Sequence, residues 1–226
     1  LYTKSMAISD TNSCFSPCKS KWVIPLTSNT FILCYYRNIM AKLHFFYSTM
    51  NAGKSTSLLQ VNHNYKEKNN KTLLFLPEVA YRSNKGKISS RIGLYAKAIC
   101  ITNEYNFRLI KNLDDISCIF VDEAQFLKKK HIKELSRIVD KKNINVMCYG
   151  IRTDFRGNLF SGSKALLAIA DNIIEIKTVC RYCEKKAIMV KRIDKQGNII
   201  KSGNQILIGG NEIYESVCRK HFFYKD

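Results

Sequence analysis

From Met40 onward, apolar and polar residues recur with a period that switches between two and about 3.6, and each switch predicts a boundary between strand and helix. Leu43, Phe45 and Tyr47 alternate with Lys42, His44 and Phe46, which predicts a strand running into a loop of small residues at Ser48. A helix follows over Lys54–Tyr65 and a second strand over Lys71–Leu76. Ile116–Val121 is nearly all apolar, as a strand covered on both faces must be, and Asn143–Tyr149 is a further strand. Between those two, Ile132, Leu135, Ile138 and Val139 recur at helical spacing, with Lys and Glu on the other face. Strands separated by helices imply an α/β fold, a parallel sheet with helices on both faces, whose ligands bind beyond the carboxyl ends of the strands.

The pattern changes at both ends of this stretch. Leu1 to Ile39 mixes Ser, Thr, Cys and Pro with one acid, Asp10, and has no sustained period. The chain opens with Leu while regularity begins at Met40, which makes Met40 a candidate translation start. A disordered arm and a transit-type presequence are the alternatives, the latter weakened by the single arginine, Arg37. After Lys177 the spacing of cysteines tightens, and a strand over Lys186–Ile193, a turn at Asp194–Asn198 and a return strand over Gln205–Ile208 predict a small second domain. The expected division is an extension over 1–39, a main domain over 40–178 and a small domain over 179–226.

Charge changes the picture less than its size suggests. The 226 residues carry a formal +19, which would ordinarily point to nucleic acid as a partner. Lys, Asn and Ile are spread over loops and helices alike, however, as A/T-rich codons would produce, and the first 39 residues hold only four of the basic residues. Nucleic acid is therefore not expected as a partner. Nine scattered cysteines, an odd number, do not form a secreted disulfide framework and suggest a reducing, cytoplasmic location. Apolar runs such as Phe31–Tyr36 and Ala165–Ala170 are too short to span a membrane.

The candidate chemistry begins where the first strand ends. Ser48-Thr-Met-Asn-Ala-Gly-Lys-Ser55 matches Gly-x-x-x-x-Gly-Lys-Ser/Thr except for Ser48 in the first glycine position. In that pattern small residues let backbone N–H groups wrap a triphosphate, Lys adds charge and the hydroxyl binds Mg²⁺. A lone Gly-Lys-Ser is commonly accidental, but here a strand precedes it and a helix opens at Lys54. The complementary half is an apolar strand ending in acids, Cys118-Ile-Phe-Val-Asp122-Glu123. Asp122 is placed to hold Mg²⁺ through water and Glu123 to lie beside the γ-phosphate. Asp122-Glu-Ala-Gln125 also resembles the acidic box of nucleic-acid helicases, so a zinc-bearing nucleic-acid ATPase stands as the rival. Against it, helicases generally close the nucleotide between two such domains, and only one fits here.

Cys180-Arg-Tyr-Cys183 and Cys218-Arg-Lys-His221 are two knuckle-like pairs able to supply three thiolates and one imidazole in a tetrahedron. Four protein ligands leave no open position, so a zinc ion there is structural. Cys100, Cys118 and Cys148 sit in apolar stretches and are expected in the core, while Cys14 and Cys18 lack partners. His44, His63 and His131 are expected in surface or packing roles.

Taken together, Ser48 to Thr56, Val121-Asp-Glu-Ala-Gln-Phe126, Tyr149-Gly-Ile-Arg-Thr-Asp-Phe155, the Cys180/Cys183 pair and Gly209 to His221 closely resemble the zinc-containing type II thymidine kinases. The bacterial branch is the nearer, and there Ser in the first loop position is normal. The resemblance implies a RecA-like P-loop kinase core, a zinc-stapled lasso closing over thymidine, a homotetramer and feedback inhibition by thymidine triphosphate. It implies that Ser48, Thr49, Met50, Asn51, Ala52, Gly53, Lys54 and Ser55 bind ATP, and that Asp122, Glu123, Ala124 and Gln125 border phosphates and sugar, with Glu123 as the base. Phe155 would contact the thymine, and Gln205, Ile206, Leu207, Ile208 and Gly209, with Tyr214, would belong to the lasso whose backbone reads it. Arg82 matches a phosphate-contacting arginine, although the family's acidic residue just before it is replaced here by Ala80 or Tyr81.

Overall fold

The computed structural model describes residues 40–207 and 213–224. Leu43 and Phe45 on β1 (Leu43–Ser48) are buried on one face, while Phe46 on the other stacks on Tyr149 with ring centroids 4.6 Å apart. A strand buried on both sides must lie inside a sheet covered by helices. The chain then runs through α1 (Lys54–Glu67), β2 (Lys71–Pro77), α2 (Glu78–Ser83), a short hairpin of β3 (Lys87–Ser89) and β4 (Tyr95–Lys97), and β5 (Ile99–Ile101). It continues with β6 (Ile116–Val121), α3 (Lys129–Lys142), β7 (Asn145–Ile151), α4 (Ser161–Ile169) and β8 (Asn172–Glu175).

Six of these strands form one parallel sheet in the order β5-β2-β6-β7-β1-β8. Alternation along the central strands divides the core in two. Phe45, Phe75, Ile119 and Val146 face Ile132, Leu135 and Val139 of α3 and Leu166 of α4. Leu74, Leu76, Phe120 and Tyr149 face Leu58 and Leu59 of α1. Helices therefore cover both faces, as the periodicity predicts, and the loops after β1, β6 and β7 emerge together at the carboxyl edge. Two close approaches fix that edge. A Cβ on Gly162 of α4 would lie 2.2 Å from the Ala124 carbonyl oxygen, and one on Gly150 would lie 2.7 Å from Gln125 Oε1. Only hydrogen at these positions lets α4 and β7 press against the turn that follows β6.

The small sheet has the order β10-β9-β11, with β9 (Met189–Ile193), β10 (Ile199–Ile200) and β11 (Tyr214–Val217) antiparallel. A final short helix, α5 (Arg219–Phe223), follows. Three sequence expectations are corrected here, the first being that the strand expected over Lys186–Ile193 begins only at Met189. The strand expected from Asn143 starts at Asn145, because Asn143 adopts a left-handed conformation (φ 53°) that ends α3. The return strand expected over Gln205–Ile208 is not formed by Gln205–Leu207. Carbonyl oxygens of that stretch are taken by side chains, and Tyr214–Val217 pairs with β9 instead. Among the described residues no helix is long and apolar enough to cross a membrane.

Candidate active site

The loop between β1 and α1 is shaped by two left-handed residues, Asn51 (φ 64°) and Gly53 (φ 75°). Glycine adopts that backbone freely, where another residue pays about 1–2 kcal/mol. No side chain caps the first turn of α1, so its N–H groups remain available to an anionic ligand. Lys54 is buried and its Nζ donates to the Thr49 carbonyl oxygen at 2.5 Å, folding the side chain back along its own loop. Burial lowers the Lys54 pKa, while the carboxylates of Glu123 and Asp122 act in the opposite sense.

The acids after β6 meet this loop. Ser55 Oγ donates to Asp122 Oδ2 at 2.7 Å, and Asp122 Oδ1 accepts from the Glu123 backbone N–H at 3.0 Å. Burial, reinforced by the Glu123 charge, pushes the Asp122 carboxyl up to about 7. Glu123 itself is left-handed (φ 51°), an arrangement costing about 1–3 kcal/mol that turns the chain sharply as it leaves the strand. Gln125 is buried and bonded at both ends of its amide, donating to Glu123 Oε2 at 2.5 Å and accepting from the Ile151 N–H at 3.1 Å. Glu123 is thus oriented by a side chain that β7 holds in place.

A cavity of about 570 Å³ extends from this point. Its lining includes Met50 to Ser55, Asp122, Glu123 and Gln125 together with Phe155, Gln205, Ile206, Leu207 and Tyr214. Ser48, Thr49 and Ala124 are buried behind it. Part of this lining is tied by a polar network. Arg192 of β9, buried, lies over the Phe155 ring at 3.8 Å and donates to the Asn204 carbonyl at 2.9 Å and the Tyr214 hydroxyl at 2.7 Å. The Tyr214 hydroxyl donates onward to the Leu207 carbonyl at 2.8 Å, and Gln205 Nε2 donates to Asp154 Oδ2 at 2.9 Å.

The four expected metal ligands come together. The ligand atoms of Cys180, Cys183, Cys218 and His221 lie within 4.8 Å of one another. His221 Nδ1 is 3.3 Å from the sulfurs of Cys180 and Cys218 and 3.5 Å from that of Cys183, and the Cys183 and Cys218 sulfurs are 3.9 Å apart. A tetrahedron built on Zn–S distances near 2.3 Å has edges of roughly 3.8 Å, so the donor set fits zinc. Burial alone would raise the Cys180 thiol, but N–H groups of Tyr182 and Cys218, the His221 ring and the Cys183 N–H bring it down to about 6, favouring the thiolate that a metal requires.

The family model for thymidine kinase matches residues 41–222. Thymidine kinases of Shewanella oneidensis and Blochmanniella pennsylvanica are 51% identical over 189 residues and 54% identical over 188, each covering 81% of this chain and 97% and 91% of the relative. That of Coxiella burnetii is 52% identical over 190 residues, covering 81% of this chain and 95% of the relative. The chain belongs to the thymidine kinase family. Among solved structures, the Pif1 helicase of Candida albicans aligns with a TM-score of 0.35 and 13% identity over 68% of this chain and 40% of its own.

Family membership frames what the residues do and do not share. Arg82, expected from the sequence to contact phosphate, is exposed and ion-paired with Glu78, one helical turn earlier, and it does not line the cavity. Arg91 does. Ile208 and Gly209, matched to the lasso, lie outside the described residues. Cys118 and Cys148 are core residues as expected, Cys100 is only half-buried, and His44 bonds Asn172. Sequence reasoning missed Asp154 and Arg192. Asp154 had a readable signal, since its Oδ1 accepts from the N–H groups of Arg156 and Asn158 in a turn that Gly157 completes. Arg192 had none, because nothing in Met-Val-Lys-Arg-Ile separates it from its neighbour Lys191.

Proposed function

We propose that this chain transfers the γ-phosphoryl group of ATP to the 5′-hydroxyl of thymidine, giving thymidine monophosphate for DNA precursor synthesis. The observation that carries this reading is that the phosphate loop, Asp122 and Glu123 line the same cavity as Phe155 and residues 205–207. The loop N–H groups and Lys54 suit a triphosphate, and the Phe155 ring with the apolar side chains of Ile206 and Leu207 suits a flat, uncharged base.

In this reading residues 40–178 are the kinase domain and 179–226 the zinc-binding lasso domain. The loop N–H groups between Ser48 and Ser55 bind the phosphates, and Lys54 places a charge beside them. Ser55 and Asp122 would hold Mg²⁺, which when bound offsets negative charge on the phosphates. Glu123 accepts the proton of the 5′-hydroxyl as its oxygen bonds to the γ-phosphorus and the bond from that phosphorus to the β–γ bridging oxygen breaks. Gln125 keeps the Glu123 carboxylate directed at the sugar end. Phe155 packs on the thymine, and Gln205 to Gly209 read its edges through the backbone while Tyr214 holds that segment. Arg82 reaches the phosphates only by leaving Glu78, whereas Arg91 already adds positive charge to the cavity wall. Cys180, Cys183, Cys218 and His221 bind structural Zn²⁺. Family resemblance adds a homotetramer, feedback inhibition by thymidine triphosphate and a cytoplasmic location.

The test is to incubate the purified chain with ATP, Mg²⁺ and thymidine and to resolve the products by chromatography. Thymidine monophosphate is expected. ATP hydrolysis stimulated by nucleic acid, without that product, would overturn the proposal in favour of a nucleic-acid ATPase.

A further inference from the structure

Strand β11 is attached to three different parts of the molecule. Tyr214 bonds Arg192 and the Leu207 carbonyl on the base side of the cavity. Two residues on, and so on the same side of the strand, Ser216 Oγ donates at 2.8 Å to the carbonyl oxygen of Met50 in the phosphate loop, 166 positions away. Two residues further, Cys218 joins the metal cluster. Ser216 is 8% exposed. Its own carbonyl accepts from the Arg181 N–H at 2.9 Å, inside the Cys180–Cys183 knuckle, so both its hydroxyl and its backbone are committed.

Nothing in phosphate binding or metal binding by itself requires the Ser216 contact. Its consequence follows from peptide geometry. The Met50 carbonyl and the Asn51 N–H belong to one planar trans unit, so fixing the first fixes the direction of the second, opposite to β11. Asn51 is on the cavity wall and is one of the two left-handed residues that shape the loop. An orientation of the loop is thereby set from the strand that also anchors the base-side wall.

We propose that Ser216 is a positioning residue for the phosphate loop, and that through it nucleotide binding and thymidine binding strengthen one another. The coupling half of this inference rests on the function proposed above; the loop-positioning half does not. Thymidine seated against Phe155 and the Leu207 segment steadies β11 through Tyr214, and Ser216 passes that order to Met50. The nucleotide then meets a loop already in its binding conformation and loses less conformational entropy.

The test uses the full chain and its Ser216→Ala and Ser216→Thr variants. The β,γ-imido analogue of ATP is titrated with Mg²⁺, with and without saturating thymidine, and thermal unfolding is recorded in parallel. Ser216→Ala is expected to weaken the analogue roughly three- to tenfold, the range of one lost hydrogen bond, and to abolish the tightening that thymidine gives the unaltered chain. Ser216→Thr, which retains the hydroxyl, should restore both. An alanine variant with unchanged analogue affinity and unchanged thymidine effect would overturn the inference, whatever its melting temperature. So would a threonine variant as weak as the alanine one, or an unaltered chain whose analogue affinity ignores thymidine it demonstrably binds. A chain that binds the analogue but makes no thymidine monophosphate would sink the functional reading alone, and the analogue affinities of the three chains would still decide the role of Ser216.

Discussion

The hydroxyl of Ser55 donates to Asp122 Oδ2 over 2.7 Å, joining residues 67 positions apart. β1 and β6 bring them there, flanking β7 in the sheet. Both oxygens are hard donors of the kind Mg²⁺ selects; burial and the neighbouring Glu123 charge disfavour ionisation of the carboxyl, and the Ser55 hydrogen bond offsets them only in part.

That environment has a pH signature in the ligand-free chain. The Asp122 pKa is raised from 3.8 to about 7, so the native state holds this proton more tightly than the unfolded state does. Its contribution to stability is fully present below pH 4 and is lost as pH rises through 7. Asp122→Asn, which cannot ionise, should therefore gain melting temperature relative to the unaltered chain on going from pH 5 to pH 8. Melting curves at both values, without Mg²⁺ or nucleotide, check it; a difference that stays constant would mean Asp122 is not the buried acid described.

Glu123→Gln removes the proposed proton acceptor while leaving an amide of the same size beside Gln125. Turnover of thymidine should fall by roughly 10²-fold or more with ATP affinity retained. Comparing kcat with the affinity for the imido analogue separates the two effects, and near-normal kcat would remove Glu123 as the base.

Gly162→Ala places a Cβ 2.2 Å from the Ala124 carbonyl oxygen, and backbone on both sides must move. A stability loss of about 1–3 kcal/mol is expected. Chemical denaturation measures it. Because the shift falls on the turn that carries Glu123 and Gln125, kcat should drop as well; a variant with normal stability would show that α4 is not seated on this turn.

Cys218→Ser takes one donor from the metal cluster and lies two residues beyond Ser216. Zinc content by elemental analysis should fall below one per chain, thymidine affinity should weaken, and the melting temperature should drop. Full zinc occupancy in this variant would exclude Cys218 as a ligand.

How much was readable beforehand differs by feature. The phosphate loop, the acids at the end of β6 and the two knuckle pairs are dense local motifs, each demanded by a ligand whose geometry allows few substitutions. β1, β2, β6, β7, α1 and α3 also announced themselves, because burial on one or both faces imposes a period on the residues themselves, whereas α4 and β8 did not. Short elements such as β3, β4, β5 and α2 carry too few residues to establish a period. The Gln205–Leu207 stretch reads as strand by composition, and only competition for its carbonyls by Arg192 and Tyr214 decides otherwise.

By itself, then, the sequence determined the family and picked out the phosphate-loop motif and the four residues of the Cys3His cluster, since these depend on residue types at short, regular spacing. Only the tertiary structure decided which side chains finish the site. It paired Arg82 with Glu78 and put Arg91 on the cavity wall, laid Arg192 over Phe155, and hung the loop at Met50 from Ser216. Each of those contacts except the i, i+4 pair of Arg82 and Glu78 joins distant segments. A hydrogen bond or stacked cation between such segments leaves no period in either one, because it depends on where the sheet brings them and on which competing partner is nearer.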